Sequence, residues 1–203
     1  MRRLVAPAIA VAPLVARLPM ASMAPIAAGL MMVTGCGGAA ANAGRPLPAY
    51  GGHAAELFDD GIEPLTVGYP SDQEGPPSAD NRLRERTQVG DAVVRARVTT
   101  VNKVEGSSGL SWQLGMHTAE RLAGTGPLDA DFTLLVASSA PAAGIVRAWE
   151  ARLVGTQVIA FVREFAKQGA PPGEAGDLRF HIAPDSGEEK KAVTSAVLLE
   201  QVR

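Results

Sequence analysis

The chain has 203 residues, with 19 basic and 21 acidic side chains and a formal net charge of −2. This length suits one domain with a sizeable core, or two small domains. The slightly acidic balance argues against nucleic acid as a partner, because neutralising phosphates requires a net basic surface. The single cysteine excludes an internal disulfide.

Residues 1–35 are typical of a signal peptide. They contain Arg2, Arg3 and Arg17 and no acidic residue, so the other 16 basic and 21 acidic residues leave −5 on the rest of the chain. Residues 25–34, PIAAGLMMVT, match the length of about 7–15 residues expected for the apolar stretch of a signal peptide. A membrane-spanning helix is the alternative. Prolines at four positions from 7 to 25, and the charge of Arg17, disfavour it.

The apolar stretch ends in Val33, Thr34, Gly35 and Cys36: an aliphatic residue, two small residues and the chain's only cysteine. This sequence resembles the lipobox of bacterial lipoproteins. The resemblance covers about residues 20–37 and implies that Cys36 receives a diacylglycerol, that the chain is cut just before it, and that the new amine is usually acylated. The residue types suit this chemistry, because small side chains let an extended backbone enter a protease and a thiolate is a good nucleophile. The alternative is a small buried cysteine.

The same resemblance predicts where the protein resides. Two or three acyl chains on Cys36 would supply the two signals that stable membrane attachment needs. The expected location is therefore the cell envelope, with the protein held to a membrane by lipid and facing outside the cytoplasm. Gly37 occupies the position where an aspartate favours inner-membrane retention, so the outer membrane is favoured in an organism that has one.

Composition divides the rest of the chain into three parts. Residues 36–52 have low complexity and predict a flexible tether. Residues 53–81 predict an irregular segment with a short strand, and residues 82–203 a β-rich globular domain that ends in a helix.

Apolar residues with a period of two predict the strands of this domain. The first is at 91–101, where Val94, Ala96 and Val98 share a face, and others are predicted at 111–118, 131–138, 156–165 and 177–183. Residues 158–162 are apolar on both faces, as in a central strand, whereas 145–154 fit either a strand or a helix. Ser186 and Glu189 predict a capping box that begins a C-terminal helix.

These elements predict a mainly β fold, a small antiparallel barrel or sandwich with a C-terminal helix. The number and lengths of the strands predict, more specifically, an OB-like barrel.

Histidines and nearby acids are the candidates for chemistry. His53 with Glu56, and His117 with Glu120, offer metal-ligand types. His53 lies in or beside the predicted tether, where nothing would hold a site rigid. The sequence therefore predicts neither a metal site nor a cofactor.

Other charged groups predict solvated surfaces. Asp129 and Asp131 lack a longer calcium-loop pattern and predict a solvated turn, as do Asp59, Asp60 and Glu63. The alternating Arg82, Arg84 and Arg86 would share one face of a strand, which predicts a charged strand edge, with contact to an anionic surface as the alternative.

The chain contains no Gly-x-Ser-x-Gly elbow and no phosphate-binding glycine loop. The lack of these catalytic motifs, together with the predicted lipid anchor, tether and β domain, favours a non-enzymatic binding or structural module of the cell envelope. Its partner would be an unidentified envelope protein, polymer or ligand. The alternative is a membrane-anchored hydrolase whose site is assembled around His117 or His181. An enzyme should place one of these histidines in a pocket, within hydrogen-bond reach of a serine or a carboxylate.

Overall fold

A computed structural model describes residues 46–70, 75–106, 109–169, 171 and 174–202. The helices and strands in chain order are α1 His53–Leu57, β1 Gly61–Ile62, α2 Asn81–Val89, β2 Ala92–Gly106, β3 Gly109–Ala123, β4 Asp131–Ala137, α3 Ala142–Leu153, β5 Gln157–Phe165, β6 Asp177–Pro184 and α4 Gly187–Gln201. Short 3₁₀ turns lie at Pro64–Val67 and Pro77–Ala79.

The strands form a six-stranded sheet in the order β1-β6-β5-β2-β3-β4, which curls into a half-barrel. Neighbouring strands are antiparallel, except that β1 runs parallel to β6. The predicted mainly β fold with a C-terminal helix is confirmed. The sheet is an open half-barrel of six strands, whereas an OB fold is a five-stranded barrel.

One face of the sheet packs against α3 and the first 3₁₀ turn. The predicted alternation of β2 is confirmed, because Val94, Ala96 and Val98 are all buried in this core. The ambiguous residues 145–154 belong mostly to α3, which turns Val146 and Leu153 into the same core. A helix satisfies this segment because its apolar residues recur at helical rather than alternate spacing.

The opposite face of the sheet packs against α1, α2 and α4. Ile159 and Phe161 of β5 point into this second core, while Val158, Ala160 and Val162 point into the first. The prediction of a central strand that is apolar on both faces is therefore confirmed. α4 supplies Val193 and Ala192 to the second core.

The prediction of an arginine-bearing strand over residues 82–86 is wrong, because these residues lie in α2. Asp80 caps this helix by accepting a hydrogen bond from the Arg82 amide at 2.8 Å. Leu83, Arg86 and Thr87 form its buried side at helical spacing. The buried side includes a charged arginine, so it does not stand out as an apolar stripe in the sequence.

The far end of the predicted tether is packed on the domain. The Ala166 amide donates to the Pro48 carbonyl at 2.9 Å, and the Tyr50 hydroxyl donates to the Phe58 carbonyl at 2.8 Å. The Tyr50 and Phe165 rings meet edge to face with centroids 5.2 Å apart. Residues 48–50 are therefore held by the sheet and by α1, although the sequence predicts that the tether extends to residue 52.

A tight turn after β3 passes close to the start of β2. Gly124 has a φ of 77°, and a Cβ at this position would lie 2.4 Å from the Asp91 carbonyl oxygen. Only glycine adopts this left-handed conformation easily.

We expect Gly124→Ala to lower the free energy of unfolding by about 1–3 kcal/mol, because the turn must either strain or move away from β2. Gly144→Ala in α3 is the matched control, since a Cβ there meets nothing within 4 Å. It should be neutral, or stabilise by up to about 1 kcal/mol, because alanine is the better helix former. Urea denaturation of both variants measures the difference, and equal effects would contradict the account of this turn.

Candidate functional site

A group of charged side chains lies between the N-terminal segment and the sheet. This charged cluster consists of Asp59, Asp60, Glu63, Arg86, Arg179, His181 and Glu189. β1 brings most of it together, because its parallel pairing places Gly61 opposite His181 and Ile62 opposite Ile182. The three acids that flank β1 are thereby aligned with the basic residues of β6.

Asp60 and Arg179 form the first ion pair of the cluster. The Arg179 Nη1 atom donates to Asp60 Oδ2 at 2.6 Å, and Asp60 Oδ1 accepts the Phe180 amide at 3.3 Å. Asp60 is only 4% exposed. Burial raises the pKa of its carboxyl above the ordinary value, although Arg179 acts in the opposite direction. The Arg179 guanidinium also stacks 4.5 Å from the Tyr50 ring.

His181 lies between two carboxylates in the second branch of the cluster. Its Nδ1 atom is 2.9 Å from Asp59 Oδ1, and its Nε2 atom is 3.3 Å from Glu63 Oε1. Burial works to lower the pKa of His181, but the hydrogen bonds to Asp59 and Glu63 outweigh it and leave the pKa raised. Burial works to raise the pKa of Asp59, but the contact with His181 leaves it lowered. Both shifts favour a charged imidazolium beside a charged carboxylate.

Arg86 brings a buried positive charge from α2. It is 4% exposed, and its Nε atom donates to the Leu57 carbonyl at 2.6 Å. Burial lowers its pKa, while the nearby Asp59, Asp80 and Glu63 carboxylates oppose that shift. Its contact with α1 and its proximity to Asp59 tie α2 to the segment before β1.

Glu189 differs from the other acids of the cluster, because among the described residues it has no cationic hydrogen-bond partner to hold its charge. Half of the predicted capping box forms: the Glu189 amide donates to Ser186 Oγ at 3.0 Å, while the Ser186 amide donates to the Pro184 carbonyl at 2.9 Å. The Glu189 side chain is 5% exposed, and its Oε2 atom has no hydrogen-bond partner among the described residues. Burial, and then the charges of Glu63 and Asp80, raise its pKa to about 7.

The structure places the other predicted site residues on the surface. His53 contacts Glu85 at 2.6 Å and Glu56 at 3.4 Å, and these hydrogen bonds raise its pKa. His117 pairs with Asp131 across β3 and β4, with Nδ1 2.7 Å from Oδ1. Within the residues that the structure describes, no group of three potential ligands is arranged to hold a metal ion.

The prediction of a solvated turn at Asp59, Asp60 and Glu63 is wrong, because these acids are paired with Arg179 and His181. The sequence also gave no indication that Arg179 belongs to the charged cluster. Asp60 and Arg179 are 119 positions apart, and Asp59 and His181 are 122 apart. Only the parallel pairing of the two-residue strand β1 brings them together, and so short a strand gives no periodic signal.

Three of the surface cavities formed by the described residues lie beside this region. The α2–α4 cavity has a volume of about 350 Å³ and is lined by Pro76, Pro77, Asp80, Asn81, Arg82 and Glu189. A cavity of about 770 Å³ lies beside Tyr50 and Arg179. A more apolar cavity of about 280 Å³ lies between the first 3₁₀ turn and α3, beside Tyr69 and Trp149. His181 does not line any of these three cavities.

No family model matches the chain, and no curated protein matches it either. The lipobox residues Val33, Thr34, Gly35 and Cys36 lie outside the described residues. In the described part of the chain, no helix has the length and apolar character needed to cross a membrane.

We expect the free energy of unfolding to fall as pH rises from about 5 to about 8. The Glu189 pKa is about 7 in the folded state, against 4.5 ordinarily, so deprotonation above pH 4.5 favours the unfolded chain. This linkage amounts to on the order of 3 kcal/mol at most. His181 acts in the same direction, because the stability from its raised pKa is complete below pH 6.5 and is lost as pH passes through the raised value.

Urea denaturation across this pH range measures the effect. Glu189→Gln should remove the part of the decline between pH 4.5 and about 7 and leave the His181 part. The exposed neighbour Glu188 provides the control variant, Glu188→Gln, which should behave as the wild type. A wild-type stability that is flat or rises with pH would contradict the assignment, and so would an unchanged slope in Glu189→Gln.

Proposed function

We propose that this protein is a lipid-anchored extracytoplasmic lipoprotein that serves as a non-enzymatic binding or structural module of the cell envelope. The observation that carries the proposal is the sequence Val33-Thr34-Gly35-Cys36 at the end of an apolar stretch. It uses the chain's only cysteine. The proposed location is the outside of the cytoplasm, on the outer membrane in an organism that has one.

The hydrogen bonds of the buried histidine support a non-enzymatic role. Both ring nitrogens of His181 are engaged by carboxylates. An imidazole held in this way has no nitrogen left to accept a proton from a nucleophile. These contacts suit a residue that holds β1 on the sheet.

The alternative, a membrane-anchored hydrolase, has one observation in its favour at His117. Its Nδ1 atom contacts Asp131 Oδ1 at 2.7 Å, and a carboxylate that orients a histidine through this nitrogen is part of a catalytic triad. The His117 and Asp131 side chains are 53% and 81% exposed, however, on the open surface of β3 and β4. A pair this exposed gives little of the water exclusion that supports triad chemistry.

Intact-mass analysis of the protein extracted from membranes tests the anchor. We expect the wild type to begin at Cys36 and to carry the added mass of two or three acyl chains. Cys36→Ser should lack the acyl mass, because serine has no thiol to receive the diacylglycerol.

The control variant is Thr34→Ser. It keeps a small residue in the lipobox, so we expect it to be cleaved and lipidated as the wild type is. A wild type that retains residues 1–35, or that carries no lipid, would contradict the proposed anchor.

A further inference from the structure

The α2–α4 cavity combines an open space with a buried carboxyl group whose Oε2 atom has no hydrogen-bond partner within the part of the chain that the structure describes. Its volume of about 350 Å³ lies within the range of small-molecule sites. Glu189 lines it from α4 and Asp80 from the start of α2. Glu189 is only 5% exposed and is one of the residues that line this space.

The charge balance around Glu189 favours a cation. Glu63 and Asp80 raise the energy of its charged form, and the positive groups near it, His181 and Arg86, only partly compensate. His181 is already engaged by Asp59 and Glu63, and Arg86 by the Leu57 carbonyl. A positively charged donor in the cavity would lie beside Glu189 and Asp80, which both line it, while Glu63 adds negative charge close to Glu189.

The donor set favours an organic ammonium over a metal ion. Protein sites for zinc and calcium use three or more protein ligands that converge on one point. The described residues contain no such group of three His, Cys, Asp or Glu side chains. A primary ammonium needs only hydrogen-bond acceptors around it, which Glu189 and Asp80 provide, while Pro76 and Pro77 offer an apolar wall for its carbon chain.

We propose that the α2–α4 cavity binds a small molecule that carries a primary ammonium group, with Glu189 as its principal acceptor and Asp80 beside it. This inference gives a ligand class to the binding module proposed above, and it rests on that proposal for its biological setting. Arg82 lines the same cavity and would meet an anionic group on a larger ligand of this class.

Binding should couple to the ionisation of Glu189. A cation binds the carboxylate and not the neutral acid, so the apparent affinity is reduced by the fraction of Glu189 that is protonated. Because the Glu189 pKa is about 7, this fraction changes most between about pH 6 and about pH 8. The affinity for the ammonium should rise roughly tenfold across that range.

The test is an NMR titration of the protein as purified from cells in mild detergent. Propylamine is the probe, with 1-propanol and propionate as neutral and anionic controls of similar size. We expect saturable shifts of backbone amides near residues 79–82 and 187–190 with propylamine alone, at a dissociation constant below about 10 mM. Glu189→Gln should weaken binding at least about tenfold and abolish its pH dependence, whereas Glu188→Gln should bind as the wild type does.

Three results would overturn the proposal: no saturable shift with propylamine, equal shifts with 1-propanol, or an unchanged pH dependence in Glu189→Gln. The titration follows amides of the folded domain, so its outcome does not depend on whether Cys36 carries lipid. Failure to bind propylamine would leave the membrane anchor standing, and an unlipidated protein that bound propylamine would leave the cavity assignment standing.

Discussion

The partly buried ion pair between Asp60 and Arg179 is the interaction on which the rest of the structure depends. It joins the N-terminal segment to β6 at a point where the backbone itself is strained, since Asp60 has a φ of 52°. A non-glycine residue in this conformation costs about 1–3 kcal/mol and persists only where the surroundings enforce it. Two backbone hydrogen bonds hold Asp60 in this conformation. Its amide donates to the Phe180 carbonyl and its carbonyl accepts from the Ala142 amide, so one residue connects β6 and α3.

The same attachment explains why charges are buried in so small a domain. Two residues of β1 cannot hold a segment on a sheet through apolar contact alone, because only Ile62 of the pair has a side chain to bury. The ion pairs of the charged cluster complete the attachment, and their acids then lie close to Glu189. The unpartnered carboxyl in the α2–α4 cavity is therefore a consequence of how the N-terminal segment is fixed. A binding site for a cation follows from the same crowding of acids.

The sequence was most informative where side chains contact their near neighbours. Apolar residues identify β2 to β6, because at least one face of each strand packs on a core and both faces of β5 do so. Ser186 identifies the start of α4 because its cap is local. α2 could not be recognised in this way, because Arg86 interrupts its buried side. The charged cluster could not be predicted either, since its pairs depend on a long-range parallel register and not on any local pattern. The lipobox is a local signal of another kind, read from residues 33–36 alone.

A double-mutant cycle at Asp60 and Arg179 tests most directly whether ion pairing fixes the N-terminal segment. Asp60→Asn keeps the shape of the side chain and Arg179→Met keeps much of its length, so the cycle isolates the charge interaction, and the loss of stacking on Tyr50 cancels. Urea denaturation of the four proteins should give a coupling energy of about 1.5 kcal/mol or more, as expected for a hydrogen-bonded pair whose carboxylate is buried. Effects that add to within about 0.5 kcal/mol would mean that apolar packing holds the segment, and would contradict this account.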